Sequence, residues 1–284
     1  MTTTVERLEP AVKPLCVQTY KQFRRLHPVS TGPTDARPLQ VRIADDIRYK
    51  IETGELQPDQ QLPTLDSLAA TYMCSLAAIR KAVDLLRNQG LVRTEQGKGT
   101  FVRGRPKARR HGMERYSKSR WRNGEAILTA EARLQGLDAD QDVRELAEVP
   151  APPRVAERLE VDPDTPVWVR RRTTLIDGRP NQLADSYYEL DVVEGTLIKE
   201  EQTGPGGGFA RLEEAGYELA EISEELSARM PTGPESVALN LPPGTPVIEL
   251  IRTTYTTAGR PVEVMLAVIA GDMAQFAYRF PMPE

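Results

Sequence analysis

The stretch Leu62-Pro63-Thr64-Leu65-Asp66-Ser67-Leu68-Ala69-Ala70-Thr71-Tyr72-Met73-Cys74-Ser75-Leu76-Ala77-Ala78-Ile79-Arg80-Lys81-Ala82-Val83-Asp84-Leu85-Leu86-Arg87-Asn88-Gln89-Gly90 holds two helix signals separated by a turn of a few residues. Thr64 and Ser75 each precede an apolar-periodic run. Each carries a hydroxyl able to accept from the orphan amides of a helical first turn. In the second run Ile79, Ala82, Val83 and Leu86 form one stripe, which leaves Arg80, Lys81, Asp84 and Arg87 outside it. Two helices joined this tightly predict a helix-turn-helix, whose second member enters the DNA major groove N-terminus first. Ser75, Leu76, Ala77, Arg80 and Lys81 then face bases or phosphates.

On the N-terminal side, Val41, Ile43, Ala44, Ile47 and Ile51 recur at helical spacing up to Gly54, which predicts a preceding helix. On the C-terminal side, Leu91-Val92-Arg93 and Thr100-Phe101-Val102 read as paired strands around Glu95-Gln96-Gly97-Lys98-Gly99. The glycines permit a tight turn and close approach to a phosphate or minor groove, and Lys98 adds positive charge at the tip. By itself the pair Arg80 and Lys81 reads as a solvated helix face. Its place between two capped helices and a glycine-tipped hairpin favours DNA.

The ordered set Leu62-Pro63-Thr64, Leu68-Ala69, Ser75, Ile79-Arg80-Lys81-Ala82, Leu85-Leu86, Gly90-Leu91-Val92 and Gln96-Gly97-Lys98-Gly99-Thr100-Phe101-Val102 resembles the winged helix-turn-helix domain of GntR-family regulators. The resemblance implies DNA contacts from Ser75 and Arg80 and a minor-groove wing of Gln96, Gly97 and Lys98; Thr64, Lys81 and Gly99 are further DNA-binding candidates beside them. Two positions depart from the family pattern, because Asp66 and Leu76 stand where arginines are usual. Asp66 either reads a cytosine amino group, turns away from the DNA, or marks a different operator; Leu76 suits a thymine methyl.

The chain has 284 residues and a net charge of -4, enough for two domains. Residues 39–112 carry 13 Lys/Arg against 8 Asp/Glu, or +5, which leaves -9 for the rest. A basic nucleic-acid module joined to an acidic partner domain fits this asymmetry. No apolar run reaches the ~18 residues needed to cross a bilayer, and no signal-peptide core is present, so a cytoplasmic protein without membrane association is expected. Cys16 and Cys74 lack metal-ligand spacing, and His27 and His111 are the only histidines. That pattern disfavours a metal centre, a cofactor or a Ser/His/Asp enzyme.

Residues 1–38 form an extension in which Val12, Leu15, Cys16, Tyr20 and Phe23 keep helical spacing. They read either as a basic arm or strut or as a mobile tail. The domain of residues 39–102 is followed by the basic run Arg103 to Gly112, so 103–123 is expected to be a solvated linker able to hold phosphates.

Residues 124–284 contain an internal repeat. Val161-Asp162-Pro163-Asp164-Thr165-Pro166-Val167 is echoed by Leu241-Pro242-Pro243-Gly244-Thr245-Pro246-Val247, Arg172-Thr173-Thr174 by Arg252-Thr253-Thr254, and Gly178-Arg179-Pro180 by Gly259-Arg260-Pro261. Each copy predicts a short helix, near 153–159 and 234–239, then a strand, a glycine hairpin and a second strand. A pseudo-symmetric α+β domain follows, with both hairpins in one antiparallel sheet.

Through Arg172, Asp177-Gly178-Arg179-Pro180, Asp185-Ser186-Tyr187-Tyr188, Pro243-Gly244-Thr245-Pro246, Gly259-Arg260-Pro261-Val262-Glu263, Gly271-Asp272 and Phe276 this domain resembles the UTRA effector-binding domain of the HutC subgroup. The resemblance implies a dimer that binds DNA through its winged domains and a small-molecule effector in each UTRA pocket that changes operator affinity; the expectation is a homodimeric repressor that releases an inverted-repeat operator when its effector binds. Arg172 and Glu263 match ligand-contacting positions, although the pair also reads as a strand-surface ion pair. Adjacent strand residues face opposite ways, so Tyr187 and Tyr188 read as one core ring and one pocket or surface ring, with Tyr187 assigned to the pocket. Thr174, Ala184 and Ile269 replace an arginine, a glutamate and a tyrosine, which predicts a less charged, more apolar effector. The alternative is a constitutive DNA-binding repressor whose second domain only dimerises.

Overall fold

The computed structural model describes residues 36–95, 97–104, 108–279 and 282. The expected helix within residues 1–38 and the wing residue Gln96 lie outside the described residues. The chain divides into two compact units, residues 1–103 and 104–284. Among the described residues no helix is long and apolar enough to cross a membrane.

In the first unit α1 (Leu39–Glu52), α2 (Leu65–Thr71) and α3 (Leu76–Asn88) enclose one core. Ile43, Ala44 and Ile47 meet Leu68 and the α3 stripe Ile79, Ala82, Val83 and Leu86, closed by Val92 and Val102. Both caps form as the sequence requires, with Thr64 accepting from the Ser67 amide at 3.2 Å and Ser75 from the Ala78 amide at 3.3 Å. Helix α2 ends in a two-bond reversal: the Met73 amide donates to Ala70 at 3.3 Å and the Cys74 amide to Ala69 at 3.0 Å, with Met73 at φ 48°. This is the left-handed helix ending usually given to glycine, here occupied by an exposed methionine.

The wing pairs β1 (Val92–Glu95) with β2 (Gly99–Val102) in register Val92–Val102 to Glu95–Gly99. A third segment joins it, because the Leu62 amide donates to Thr100 at 2.7 Å and the Val102 amide to Gln60 at 2.8 Å.

The second unit is built on a six-stranded antiparallel sheet of β4 (Ala139–Pro150), β5 (Pro166–Ile176), β6 (Arg179–Glu189), β7 (Leu219–Arg229), β8 (Val247–Thr256) and β9 (Pro261–Ala270). The spatial order is β4-β5-β6-β9-β8-β7, so the two sequence repeats meet between β6 and β9. Each repeat carries its short helix, α6 (Pro153–Leu159) and α9 (Gly233–Ala238), after α4 (Lys118–Arg122) and α5 (Ile127–Leu134), with α7 (Leu190–Val193) and α8 (Gly207–Glu214) between the repeats. Proline opens α6 and α9, where a missing amide hydrogen costs nothing.

Side chains alternate across the sheet. On one face Val167, Val169, Tyr187, Ile251 and Val264 pack with Val155, Ala156 and Leu159 of α6. The other face carries the polar residues described below.

The segment expected to be a linker is largely part of this unit. β3 (Ala108–His111) pairs in parallel with β10 (Ala274–Ala277), a 3-10 turn covers Met113–Tyr116, and Trp121 of α4 is buried against Phe209. Basic composition does not reveal this, because the burial depends on partners about 70 to 170 residues away in sequence.

Candidate functional sites

The first site is the exposed surface of α3 and the wing. Burying the stripe Ile79, Ala82, Val83 and Leu86 turns Leu76, Ala77, Arg80 and Lys81 to solvent. Among the described residues Arg80 and Lys81 have no carboxylate partner, whereas Arg87 is paired with Asp84 at 2.8 Å. Free positive charge is thereby concentrated in the N-terminal half of the helix, beside the cap at Ser75. Asp66 is exposed in the first turn of α2, where a carboxylate is stabilised by the helix dipole.

At the wing tip Gly97 and Gly99 adopt φ 74° and 124°, and Lys98 is 74% exposed, 3.5 Å from Glu95. The Gln61 side-chain amide donates to the Lys98 carbonyl at 2.8 Å. A Cβ at position 99 would lie 2.5 Å from that amide nitrogen. Gln61 therefore helps set the tip. Sequence reasoning missed it because it lies outside the hairpin and meets the tip only in the folded chain. Arg93 is held by Asp59 at 2.8 Å and by Glu95, which removes it from the pool of free cations.

The second site is a cavity of ≈ 130 Å³ on the polar face of the sheet. The register places Arg172 opposite Ala184, so Arg170, Arg172 and Thr174 of β5 share that face with Gln182, Ala184, Ser186 and Tyr188 of β6. Glu263 and Met265 of β9 and Arg252 of β8 complete the sheet side. The opposite wall includes Phe209 and the start of α8, where Gly206 has φ 79° and a Cβ would meet the Trp121 carbonyl oxygen at 2.4 Å. A glycine is needed for that approach, and it brings the positive end of α8 to the cavity.

Glu263 is the organising carboxylate. Its Oε1 accepts from the Tyr188 hydroxyl at 2.9 Å, and its Oε2 accepts from Arg252 at 2.7 Å and Thr254 at 3.3 Å. Burial opposes its ionisation, but the charges of Arg252 and Arg172 and its hydrogen bonds hold the carboxyl below the usual carboxylate range. Burial and the nearby Glu263 charge push the Tyr188 hydroxyl above its ordinary value, so it stays a donor. Arg252 also stacks with its guanidinium 4.9 Å from the Phe209 ring centre.

Arg110, Arg115, Arg170, Arg172 and Arg252 all line the cavity, against the single carboxylate Glu263. Arg172 donates to the Ser186 hydroxyl at 2.6 Å. Arg170 donates to the backbone carbonyls of Glu200 and, at 2.8 Å, Glu201. Desolvation and neighbouring Arg172 lower the Arg170 pKa, the signature of a buried cation without a counter-charge. Arg115 lies 3.5 Å from Glu131 and 3.9 Å from Glu224, yet its Nε and Nη1 lack hydrogen-bond partners, as do the Nε atoms of Arg170, Arg172 and Arg252.

Two expectations change. Tyr187 does not join Arg172 and Glu263; it is 3% exposed in the core on the other face, and Tyr188 takes the cavity position. Parity along β6 decides between them, but parity needs the register with β5. Nor is the cavity depleted of charge or the Arg172 and Glu263 pair a surface bridge. Thr174 and Ala184 do line it and Ile269 is core, while the charge arrives from Arg170, on the same strand face as Arg172, and from Arg110 and Arg115 in the supposed linker.

Residues 39–102 match the family described as bacterial regulatory proteins, gntR family, and residues 134–275 match the UTRA domain. The chain is 34% identical over 253 residues to an HTH-type transcriptional regulator of Streptomyces coelicolor, covering 87% of this chain and 94% of that protein. It is 24% identical to the HTH-type transcriptional repressor NagR of Bacillus subtilis, over 85% of this chain and 94% of NagR. A solved GntR-family transcriptional regulator superposes with TM-score 0.62 at 27% identity, covering 87% and 99% of the two chains. PhnF of Mycobacterium smegmatis superposes with TM-score 0.54 at 20% identity, over 85% and 100%, a likeness of fold.

Proposed function

Because this chain belongs to the GntR family of regulators and joins its helix-turn-helix to a UTRA domain, we propose that it is a homodimeric, cytoplasmic repressor whose operator affinity is changed by a small anionic effector. Its relatives are transcriptional regulators rather than enzymes. Repression is supported by relatives named as repressors, NagR and the mannosyl-D-glycerate system repressor MngR of Escherichia coli.

One observation carries the effector reading: five guanidiniums surround a small cavity that holds one carboxylate. A buried cation without a partner costs several kcal/mol, roughly, and an oxyanion offsets that cost. A second domain that only dimerises has no use for such a cavity, which disfavours the constitutive alternative.

On the DNA side, the proposed contacts are Arg80 and Lys81 from α3, the amide ends capped by Thr64 and Ser75, and a wing of Gln96, Gly97, Lys98 and Gly99. The effector acts by binding more tightly to the arrangement that spaces the two winged domains wrongly for the half-sites. A coupling of ~1 to 3 kcal/mol changes operator affinity by roughly 5- to 150-fold.

Selection of genomic fragments by the purified protein, followed by titration at two salt concentrations, tests this. A shared inverted repeat bound by a dimer with a steep salt slope is expected, and extracted metabolite pools should release it. Sequence-independent binding unaffected by every pool would reject the proposal.

A further inference from the structure

We propose that Arg110 is an effector-binding residue, and that an oxyanion held by Arg110 and Arg170 fixes the strand leading out of the DNA-binding unit. The proposal rests on the effector reading given above. Arg110 is 3% exposed. Its Nη2 donates only to neutral acceptors, Asn181 Oδ1 at 3.1 Å and Gln182 Oε1 at 2.5 Å, and its guanidinium lies 5.5 Å from the Phe276 ring centre. Among the described residues no carboxylate lies within ion-pair distance of it. Desolvation, with repulsion from Arg115, pushes its pKa down to about 10. Asn181 is fully buried and its Nδ2 has no partner, so the amide pair beneath Arg110 is itself incompletely satisfied.

The carboxylates that act on this guanidinium, Glu131 and Glu224, do so from beyond ion-pair distance and are set against Arg115, and the cavity it lines is where a closer counter-charge fits. At ≈ 130 Å³ the space is well above what a single water needs and is enough for a phosphate, sulfate or carboxylate head group. Arg110 and Arg170 both line this space, and the Arg170 Nε has no partner; guanidinium N–H groups of this kind form charge-assisted bonds to oxyanions.

The position of Arg110 in the chain gives the site its second property. It follows Arg103, the last residue of the first unit, by seven positions. It stands on β3, which among the described residues pairs with β10 alone, through four residue pairs. Four residue pairs of a two-stranded ribbon supply little stability by themselves, so the strand depends on what its buried Arg110 side chain meets. The placement of β3 is therefore sensitive to whether the buried Arg110 is neutralised. Filling the cavity stabilises β3; emptying it does the reverse.

The test is amide hydrogen exchange and thermal melting of the full-length protein with inorganic phosphate, sulfate, acetate or neutral glycerol. Phosphate or sulfate is expected to slow exchange at 108–111 and 274–277 by about tenfold or more and to raise the melting temperature, with glycerol inert. Arg170→Gln should need more anion yet reach the same protection at saturation. Arg110→Gln should need more anion and lose the exchange response at 108–111, and Arg110→Lys should regain part of both. If Arg110→Gln does not fold, the wild-type and lysine responses decide. Equal melting shifts in wild type and Arg110→Gln with no exchange change at 108–111 would overturn the role of Arg110 and leave the effector reading intact. No response of the wild type to any of the three anions would overturn the oxyanion site, and the operator-release assay would then judge the effector reading alone.

Discussion

The Tyr188 hydroxyl and the Glu263 carboxylate, 75 residues apart in sequence, meet at 2.9 Å where the two halves of the repeat join. The other carboxylate oxygen holds Arg252 at 2.7 Å, so one buried anion ties β6, β8 and β9 together. Glu263→Gln leaves the Arg252 guanidinium buried without its counter-charge. It should lower the unfolding free energy of the full chain by about 3 to 5 kcal/mol in denaturant titrations. Tyr188→Phe removes one hydrogen bond to a charged group and should cost about 1.5 to 3 kcal/mol. An unchanged midpoint in Glu263→Gln would show that the pair contributes nothing to stability.

The same carboxylate sets an acid limit. The Glu263 pKa is lower in the folded chain than its ordinary value of 4.5, so the unfolded chain takes up this proton first. The contribution is fully present above about pH 4.5 and is lost as pH falls through the depressed folded value. Glu235, held down to about 2 by its hydrogen bonds to Arg229, adds to the slope in the same direction. Stability measured against pH should therefore fall less steeply on the acid side in Glu263→Gln than in the wild type. Parallel curves would contradict this.

At the DNA surface, Arg80→Ala should weaken specific operator binding by about 1 to 3 kcal/mol and relax one base position, if Arg80 makes a forked base contact. Lys81→Ala should weaken all sequences alike and reduce the salt slope by about one. Competition assays against single-base operator variants separate the two roles, and an unchanged sequence preference in Arg80→Ala would remove Arg80 from readout.

Asp66 is exposed and without a cationic partner among the described residues, so Asp66→Asn should tighten binding if this carboxylate faces phosphate. Titration of the variant on operator and on random DNA checks it. Loss of preference at one cytosine would instead mark Asp66 as a base reader.

Met73 occupies a left-handed position at 92% exposure, with no packing to lose. Met73→Gly should stabilise the first unit by up to about 1 kcal/mol, the strain relieved being partly offset by unfolded-chain entropy. By contrast, Gly99→Ala, with φ 124° and a contact at 2.5 Å to Gln61, should disturb the wing tip and weaken DNA binding while the helical core stays folded. Circular dichroism beside a binding titration tests that split, and full affinity in Gly99→Ala would refute it.

The sequence alone determined the elements whose signals are local. Thr64 and Ser75 cap helices because their hydroxyls sit just before an apolar stripe, and the glycines at 97 and 99 allow the turn they flank. The echo of Arg172-Thr173-Thr174 in Arg252-Thr253-Thr254 put two hairpins in one sheet, since like sequences fold alike. Tertiary structure decided everything that depends on what stands opposite. Register, absent from a single strand's pattern, sent Tyr187 to the core and Tyr188 to Glu263. Contacts from distant segments turned Arg110 and Arg115 from linker charges into cavity walls and placed Gln61 under the wing. Burial of a charge is a property of its neighbours in space, and a residue's own flanking sequence does not contain them.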